Sequence, residues 1–200
     1  RRHGLIDLRV DNIRGRWSDD GVRRAVSAAG AAGIGIVVSV GGPEGCDTWV
    51  STSLRRGTDA LVCAVGLPTP IASARAADAG VPLVALDPWR TSPTAAVVTC
   101  ENAQGAYEAV AHLLGLGHRR IGVVTGPLKL VNAQMRFGGY QRALAEAGIA
   151  PDENLVRTGD YTTAAGYRAG QYFLTLENPP SAVFAASDDS ARGRIHAYRE

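Results

Sequence analysis

Short runs of apolar, mostly β-branched residues alternate with longer alanine-rich stretches along the chain. This alternation is typical of β-α-β units and predicts an α/β protein with parallel sheets. The predicted strands are Leu5–Val10, Ile34–Val40, Ala60–Val65, Val81–Leu86, Ala96–Thr99, Ile121–Thr125, Leu155–Thr158 and Ala182–Ala186. Helices are predicted between the strands, with Ser18 at the start of the first helix and Asn102 as a side-chain cap of the fourth. A helix is also predicted from Gln134 to Ala147.

Two successive α/β lobes account economically for this order, one over residues 1–99 and one over residues 100–200. The predicted fold class is therefore α/β, with two doubly wound parallel-sheet lobes. The second lobe has three convincing strands, fewer than a complete doubly wound lobe usually carries, so we expect it to be incomplete. The stretch Pro88–Pro93 is the best candidate for a loop between the lobes.

Composition narrows the class of protein further. The 200 residues are 46% hydrophobic and 20% charged, as in an ordinary globular protein, and the formal net charge of +2 is too balanced for these residues alone to hold a polyanion. No apolar stretch approaches the roughly 18 residues of a membrane span. The three cysteines form no CxxC pair, which favours a reducing compartment and packing as small apolar side chains. Because the chain starts with neither Met nor a signal peptide, we expect it to begin inside a longer product.

Polar and aromatic side chains follow several predicted strands, where ligands bind in open parallel sheets. They are Asn12, Arg16 and Trp17 after the first strand, Asp87 after the fourth, the segment Lys129–Arg136 after the sixth, Tyr161 after the seventh, and Ser187 and Asp188 after the eighth. Carboxylates, amides, an arginine and aromatic rings together suit a polyhydroxylated ligand.

Each of these residues also has a purely structural interpretation. Arg136 fits a surface cation, and Asp188 fits an anion at a helix N-terminus. Trp17 and Tyr161 fit aromatic side chains that cover a sheet edge or a loop, and Asp87 before a proline fits a turn. The pattern alone leaves both interpretations open.

Other chemistries lack a sequence pattern. The loop Gly41–Gly45 has neither the Lys-Ser/Thr ending of a P-loop nor the spacing of a dinucleotide fingerprint, and an ordinary turn explains it. The four histidines show no paired metal-ligand spacing, and no cysteine accompanies one as a nucleophile pair would. We therefore expect no cofactor, no metal and no enzymatic activity.

Five segments in a fixed order carry a specific resemblance. They are Leu113–Gly122, Gly126-Pro127, Arg136–Tyr140, Gly159-Asp160-Tyr161 and Ala185–Ala191. In this order and spacing they resemble the LacI/GalR family of bacterial transcriptional regulators, and the likeness runs from about Gly4 to Glu200.

The resemblance implies the type I periplasmic-binding-protein fold of that family's effector-binding core. It further implies a small-molecule effector, often a sugar or nucleoside, a homodimer, and operator DNA bound through a helix-turn-helix upstream of Arg1. The implied protein is a cytoplasmic ligand-responsive regulator, a repressor, that responds allosterically to its effector and does not contact a membrane. A periplasmic sugar-binding protein of a transport system shares the fold and is the alternative.

Site roles follow from the same resemblance. It implies that Arg136 clamps the effector, that Asn132 in the same loop faces it, and that Tyr161 stacks on it. The other implied effector-binding residues are Asn12, Arg16, Trp17, Asp87, Thr99, Ser187 and Asp188. Ser187 stands where the family usually has Asn, and this departure leaves the identity of the effector open.

Overall fold

The computed structural model describes residues 3–11, 16–42, 45–64, 66–90 and 92–199, with the side chain of Arg16 left out. The chain divides into two compact units, Arg1–Cys100 and Glu101–Glu200, which are considered one at a time. Within the described ranges, no helix is both long and apolar enough to cross a bilayer.

The first unit contains a five-stranded parallel sheet. Its elements in chain order are β1 (Leu5–Val10), α1 (Arg16–Ala31), β2 (Gly35–Val40), α2 (Cys46–Arg56), β3 (Ala60–Ala64), α3 (Pro70–Asp78), β4 (Leu83–Leu86) and β5 (Ala96–Val98). The strands lie in the order β2-β1-β3-β4-β5, and every neighbouring pair is parallel.

The two faces of this sheet are covered by different helices. Leu8 and Val10 of β1 pack with Val22 and Ala25 of α1. Leu61 and Cys63 of β3 instead belong to a buried cluster that includes residues of α2 and α3. Because successive side chains of a strand point to opposite faces, α1 lies on one side of the sheet and α2 and α3 lie on the other.

The second unit has the same design around a smaller sheet. Its elements are α4 (Asn102–Gly115), β6 (Ile121–Thr125), α5 (Val131–Glu146), a 3-10 turn (Glu153–Leu155), β7 (Val156–Thr158), α6 (Thr163–Leu174), β8 (Ala182–Ala185) and α7 (Asp188–Ala197). The parallel strands lie in the order β7-β6-β8. One face packs against α4 and α5 through Val123, and the other packs against α6 through Val124. Both units are therefore doubly wound, as the sequence predicts.

Glycines allow the helices of the second unit to pack in very close pairs. A Cβ built on Gly139 of α5 would lie 2.2 Å from the carbonyl oxygen of Ala103 in α4. A Cβ on Gly166 of α6 would lie 2.0 Å from the carbonyl oxygen of Ser190 in α7. Conversely, a Cβ on Gly193 of α7 would lie 1.9 Å from the carbonyl oxygen of Thr163 in α6. These approaches place backbone directly against backbone, which only glycine permits.

Several sequence predictions need correction. The stretch Pro88–Pro93 does not separate the two units, because β5 follows it and pairs with β4 inside the first unit. Helix α1 begins at Arg16, before the predicted start at Ser18. Cys46 and Cys63 are buried as expected, whereas Cys100 is exposed. Helix α5 begins at Val131 rather than at Gln134.

Candidate functional site

The carboxyl ends of β6, β7 and β8 meet at one edge of the second unit's sheet. The chain runs from β6 to one neighbour through α5 and from that strand to the other side through α6, so the strand order reverses at β6. In α/β sheets, the crevice beyond such a reversal is the usual ligand site. The four predicted residues Asn132, Arg136, Tyr161 and Ser187 lie at this edge, and we call them with Asn102 the β6-edge cluster.

Arg136 is held by acceptors on two different elements. It lies in the second turn of α5 and is partly buried. Its Nε donates to Oδ1 of Asn102 at 2.7 Å, and its Nη1 donates to the carbonyl oxygen of Ala186 at 2.6 Å. Hydrogen bonds made by an ionised donor are stronger than neutral ones, so the guanidinium is oriented rather than free to move in solvent. The interpretation of Arg136 as a solvated surface cation is wrong.

Tyr161 lies beside this arginine in an unusual backbone conformation. The guanidinium carbon of Arg136 is 5.8 Å from the centre of the Tyr161 ring, within the range of a cation–π contact. The Tyr161 hydroxyl donates to Oδ1 of Asn132 at 3.2 Å. Tyr161 has φ of 66°, in the left-handed region that side chains rarely adopt, and such conformations often mark functional sites.

The neighbouring Asp160 stabilises the turn that carries Tyr161. Its Oδ1 accepts hydrogen bonds from the Thr162 hydroxyl at 2.6 Å and from the Thr162 backbone N–H at 3.0 Å. The hydroxyl contact is the main reason why the pKa of Asp160 lies below its ordinary value. Asp160 therefore stays ionised and fixes the turn ahead of α6, whose first N–H groups are capped by Thr162.

Ser187 connects the start of α7 to the same turn. Its Oγ accepts from the backbone N–H of Ser190 at 3.2 Å, as an N-cap side chain does, and lies 3.4 Å from the carbonyl oxygen of Tyr161. Asp188 follows in the first turn of α7 and is exposed, where a negative charge suits the helix dipole. Ser187 thus has a structural role as the cap of α7. Asp188 is the first residue of that helix.

In the first unit, the structure brings two other predicted residues together. The Thr99 hydroxyl donates to Oδ1 of Asp87 at 2.5 Å. Asp87 follows β4, is 6% exposed and has φ of 46°, so it too occupies the left-handed region. Asp87 is a turn residue, as its structural interpretation predicts, and its buried carboxylate is also the acceptor for a second predicted site residue.

Of the predicted residues that follow the first strand, only Trp17 has a described side chain. Asn12 lies outside the described residues, and for Arg16 only the backbone position at the start of α1 is described. Trp17 lies in the first turn of α1 rather than in a loop, and it is 49% exposed. Asn132, predicted in a loop, lies in the first turn of α5.

Sequence reasoning missed two residues of this edge. The sequence predicts Asn102 as the cap of α4, but α4 starts at Asn102 itself, and the side-chain oxygen of Asn102 accepts from Arg136. Gly126, directly after β6, leaves room for the Tyr161 ring, since a Cβ there would lie 2.0 Å from the ring carbon Cζ. A Gly-Pro pair directly after a strand is typical of a turn, whereas nothing in the sequence pairs Asn102 with Arg136.

The cluster contains hydrogen-bonding groups and an aromatic ring rather than metal ligands. Among the described residues, no group of three or more His, Cys, Asp or Glu side chains is arranged to hold a metal ion. An oriented guanidinium, a carboxamide and a ring face can together recognise hydroxyl groups and the apolar face of a small polar molecule.

Comparisons with known proteins agree with the fold. The family described as "Periplasmic binding protein-like domain" matches residues 110–200, which include β6, α5 and α7. A LacI-family sugar-binding transcriptional regulator from Escherichia coli, solved with phosphate, is 25% identical with a TM-score of 0.82, covering 100% of this chain and 73% of that one. The doubly wound units and these matches define a periplasmic-binding-protein-like α/β protein.

Two further matches are with transcriptional repressors. The HTH-type transcriptional repressor PurR from Klebsiella pneumoniae (strain 342) is 37% identical over 121 residues, which is 60% of this chain and 36% of the repressor. The lac repressor dimer bound to operator and the anti-inducer ONPF is 28% identical with a TM-score of 0.83, covering 98% of this chain and 68% of that one. The chain is similar to the effector-binding cores of LacI-family regulators, which confirms the resemblance. It spans just 36% of the length of the PurR repressor that it matches.

Proposed function

We propose that this chain is the sensor part of a ligand-responsive transcriptional regulator, a repressor that binds operator DNA through a helix-turn-helix outside these residues. The β6-edge cluster contributes to the effector site, and the effector is a small polyhydroxylated molecule of the carbohydrate class. The protein works as a homodimer in the cytoplasm and catalyses no reaction.

One observation carries the assignment of the site. Arg136 is fixed from two sides by Asn102 and Ala186, and the ring of Tyr161 lies beside its guanidinium. Such an arrangement supplies directional donors next to an aromatic face, which suits a sugar ring with hydroxyl groups on its rim and C–H groups on its face. We also propose Asp87 of the first unit, with its left-handed backbone and bond from Thr99, as an effector-binding residue.

The regulator is favoured over the transport protein by the names of the matched proteins. One is an HTH-type transcriptional repressor, another a sugar-binding transcriptional regulator and a third a repressor bound to its operator. An effector switches such a regulator if it binds one conformation better than the other, and a coupling of about 1–3 kcal/mol changes operator affinity several-fold to about a hundred-fold.

The test is a melting-temperature screen of the full-length protein with D-ribose, D-glucose, cellobiose and adenosine. We expect one of these to raise the Tm of the unsubstituted protein, because a ligand that binds only the folded state stabilises it. Arg136→Ala is expected to remove the shift while the protein stays folded. An Arg136→Ala protein that binds the same compound with unchanged affinity in calorimetry contradicts the proposed site.

A control variant separates loss of the site from general damage. Arg55 lies in the last turn of α2 in the first unit, and its side chain is exposed, where it contacts Thr52. Arg55→Ala removes one arginine without touching the β6-edge cluster, and it is expected to keep the full Tm shift.

A further inference from the structure

In the β6-edge cluster, Asn102 contacts Arg136, and the proposed function gives Asn102 no role of its own. We propose that Asn102 is a positioning residue, whose carboxamide oxygen sets the direction of the Arg136 guanidinium before any ligand binds. This inference rests on the proposed effector role of Arg136, and it extends the site to a residue that does not itself have to contact the ligand.

Asn102 is buried where an ordinary helix-start asparagine would be exposed. It is 4% exposed and is the first residue of α4. Its Oδ1 accepts from Nε of Arg136, which is 34 residues further along the chain. A buried carboxamide oxygen without a donor would be costly, so the two side chains stabilise each other in this arrangement.

Two acceptors on different elements orient the guanidinium of Arg136. The Nε–H group points to Asn102, and an Nη1–H group points to the carbonyl oxygen of Ala186 at the end of β8. A planar, forked group with two of its donors engaged on different sides can neither swing about the chain axis nor rotate in its own plane. Loss of the Asn102 oxygen removes the anchor at Nε, and we expect the guanidinium to rotate more freely.

The position of Asn102 is itself rigid. Helix α4 approaches α5 so closely that a Cβ on Gly139 would lie 2.2 Å from the carbonyl oxygen of Ala103, the residue after Asn102. Arg136 lies one turn before Gly139 on the same helix. The distance between donor and acceptor is therefore set by backbone packing, which is the condition for a pre-oriented binding group.

Two substitutions at this position test the proposal in the full-length protein. Asn102→Leu keeps the approximate size of the side chain and removes the acceptor, whereas Asn102→Asp keeps an acceptor oxygen at the same place. The binding probe is whichever of D-ribose, D-glucose, cellobiose and adenosine raises the Tm of the unsubstituted protein. We expect Asn102→Leu to weaken its binding about ten-fold or more and Asn102→Asp to stay within about three-fold, since only the former frees the guanidinium.

A second measurement needs no ligand. In protein labelled with ¹⁵N-arginine, the Nε–H resonance of Arg136 is identified by its loss in Arg136→Lys. We expect this proton to exchange slowly with water in the unsubstituted protein and in Asn102→Asp, and about ten-fold faster or more in Asn102→Leu. The matched control Gln104→Ala, on the exposed face of the same helix, is expected to leave both binding and exchange unchanged.

The outcomes distinguish this inference from the proposed function. If none of the four compounds binds, the carbohydrate proposal fails, and the exchange measurement still decides the role of Asn102. An Asn102→Leu protein with the original Nε–H exchange rate overturns the positioning role. The positioning role is also overturned if Asn102→Leu and Asn102→Asp weaken binding equally and neither changes the Nε–H exchange rate. That result would mean that Asn102 contributes to stability alone.

Discussion

The ring of Tyr161 occupies the space that a side chain at Gly126 would fill. A Cβ on Gly126 would lie 2.0 Å from ring carbon Cζ and 2.4 Å from the hydroxyl oxygen. The ring is thereby held over the end of β6, with its hydroxyl bonded to Asn132. The absence of a side chain after β6 thus provides the space for the Tyr161 ring, which follows β7.

Gly126→Ala is expected to displace the Tyr161 ring and to break its hydrogen bond to Asn132. We expect an overpacking cost of about 1–3 kcal/mol in the free energy of unfolding, and a clear loss of effector binding in calorimetry. The control is Gly138→Ala, since a Cβ at that position meets nothing within 4 Å. Unchanged binding in Gly126→Ala would show that the position of the ring is not required.

The neighbours Gly138 and Gly139 give a second, internally controlled prediction. Both lie in α5, but a Cβ at Gly139 would lie 2.2 Å from the backbone of α4, whereas Gly138 faces open space. Gly138→Ala is expected to stabilise the protein by about 0.5–1 kcal/mol through helix propensity. Gly139→Ala is expected to destabilise it by about 1–3 kcal/mol or more because α4 must move away. Urea denaturation measures both, and equal effects at the two positions would contradict the close approach.

The three cysteines are expected to differ in reactivity. Burial raises the pKa of the Cys63 thiol to about 12, and it also raises the pKa of the buried Cys46 thiol. Because the thiolate is the reactive form, neither is expected to react with a thiol reagent in the native protein at mildly alkaline pH. Cys100 is exposed and is expected to react. Peptide mass spectrometry before and after unfolding checks this, and rapid native labelling of Cys63 would contradict it.

Asp59 gives a prediction about pH. Its carboxylate accepts the backbone N–H groups of His3, Gly4 and Leu5 at 3.0, 2.6 and 3.2 Å, and these bonds, led by that of His3, lower its pKa from the ordinary 3.8. Folding therefore favours the ionised form of Asp59. The contribution of this carboxylate to the free energy of unfolding is complete above pH 3.8 and is lost as the pH falls through the lowered pKa.

Asp59→Asn removes this titrating group. We expect the variant to be less stable than the unsubstituted protein at neutral pH, and the difference in the free energy of unfolding to shrink as the pH falls below 3.8. Denaturation curves across the acid range measure it. A difference that grows on acidification has the wrong sign for a carboxylate stabilised by these bonds.

Most of the fold could be predicted because parallel strands leave a strong local pattern. Strands β1 and β6 have the bounds that the sequence predicts, Leu5–Val10 and Ile121–Thr125. The prediction that Pro88–Pro93 separates the lobes is wrong, because proline and serine indicate a loop but not which strands that loop connects. Pairing of β5 with β4 is a long-range property that local composition does not contain.

The candidate site was partly predictable for the same reason. The carboxyl ends of strands could be located, and so could the residues that follow them, including Arg136 and Tyr161. Asn102 could not be assigned, because an asparagine before an apolar helical stretch is typical of an N-cap, and its true partner lies 34 residues away. The left-handed backbone of Tyr161 likewise comes from its surroundings rather than from any preference of tyrosine.

The reciprocal glycine contacts of α6 and α7 have a mechanical consequence. With Gly166 against Ser190 and Gly193 against Thr163, the two helices have no compressible layer of side chains at these points. Helix α7 begins just after Ser187, and the turn carrying Tyr161 leads into α6. We therefore expect a displacement of the start of α6 to displace the start of α7 with it, because no side-chain layer between them can absorb the movement.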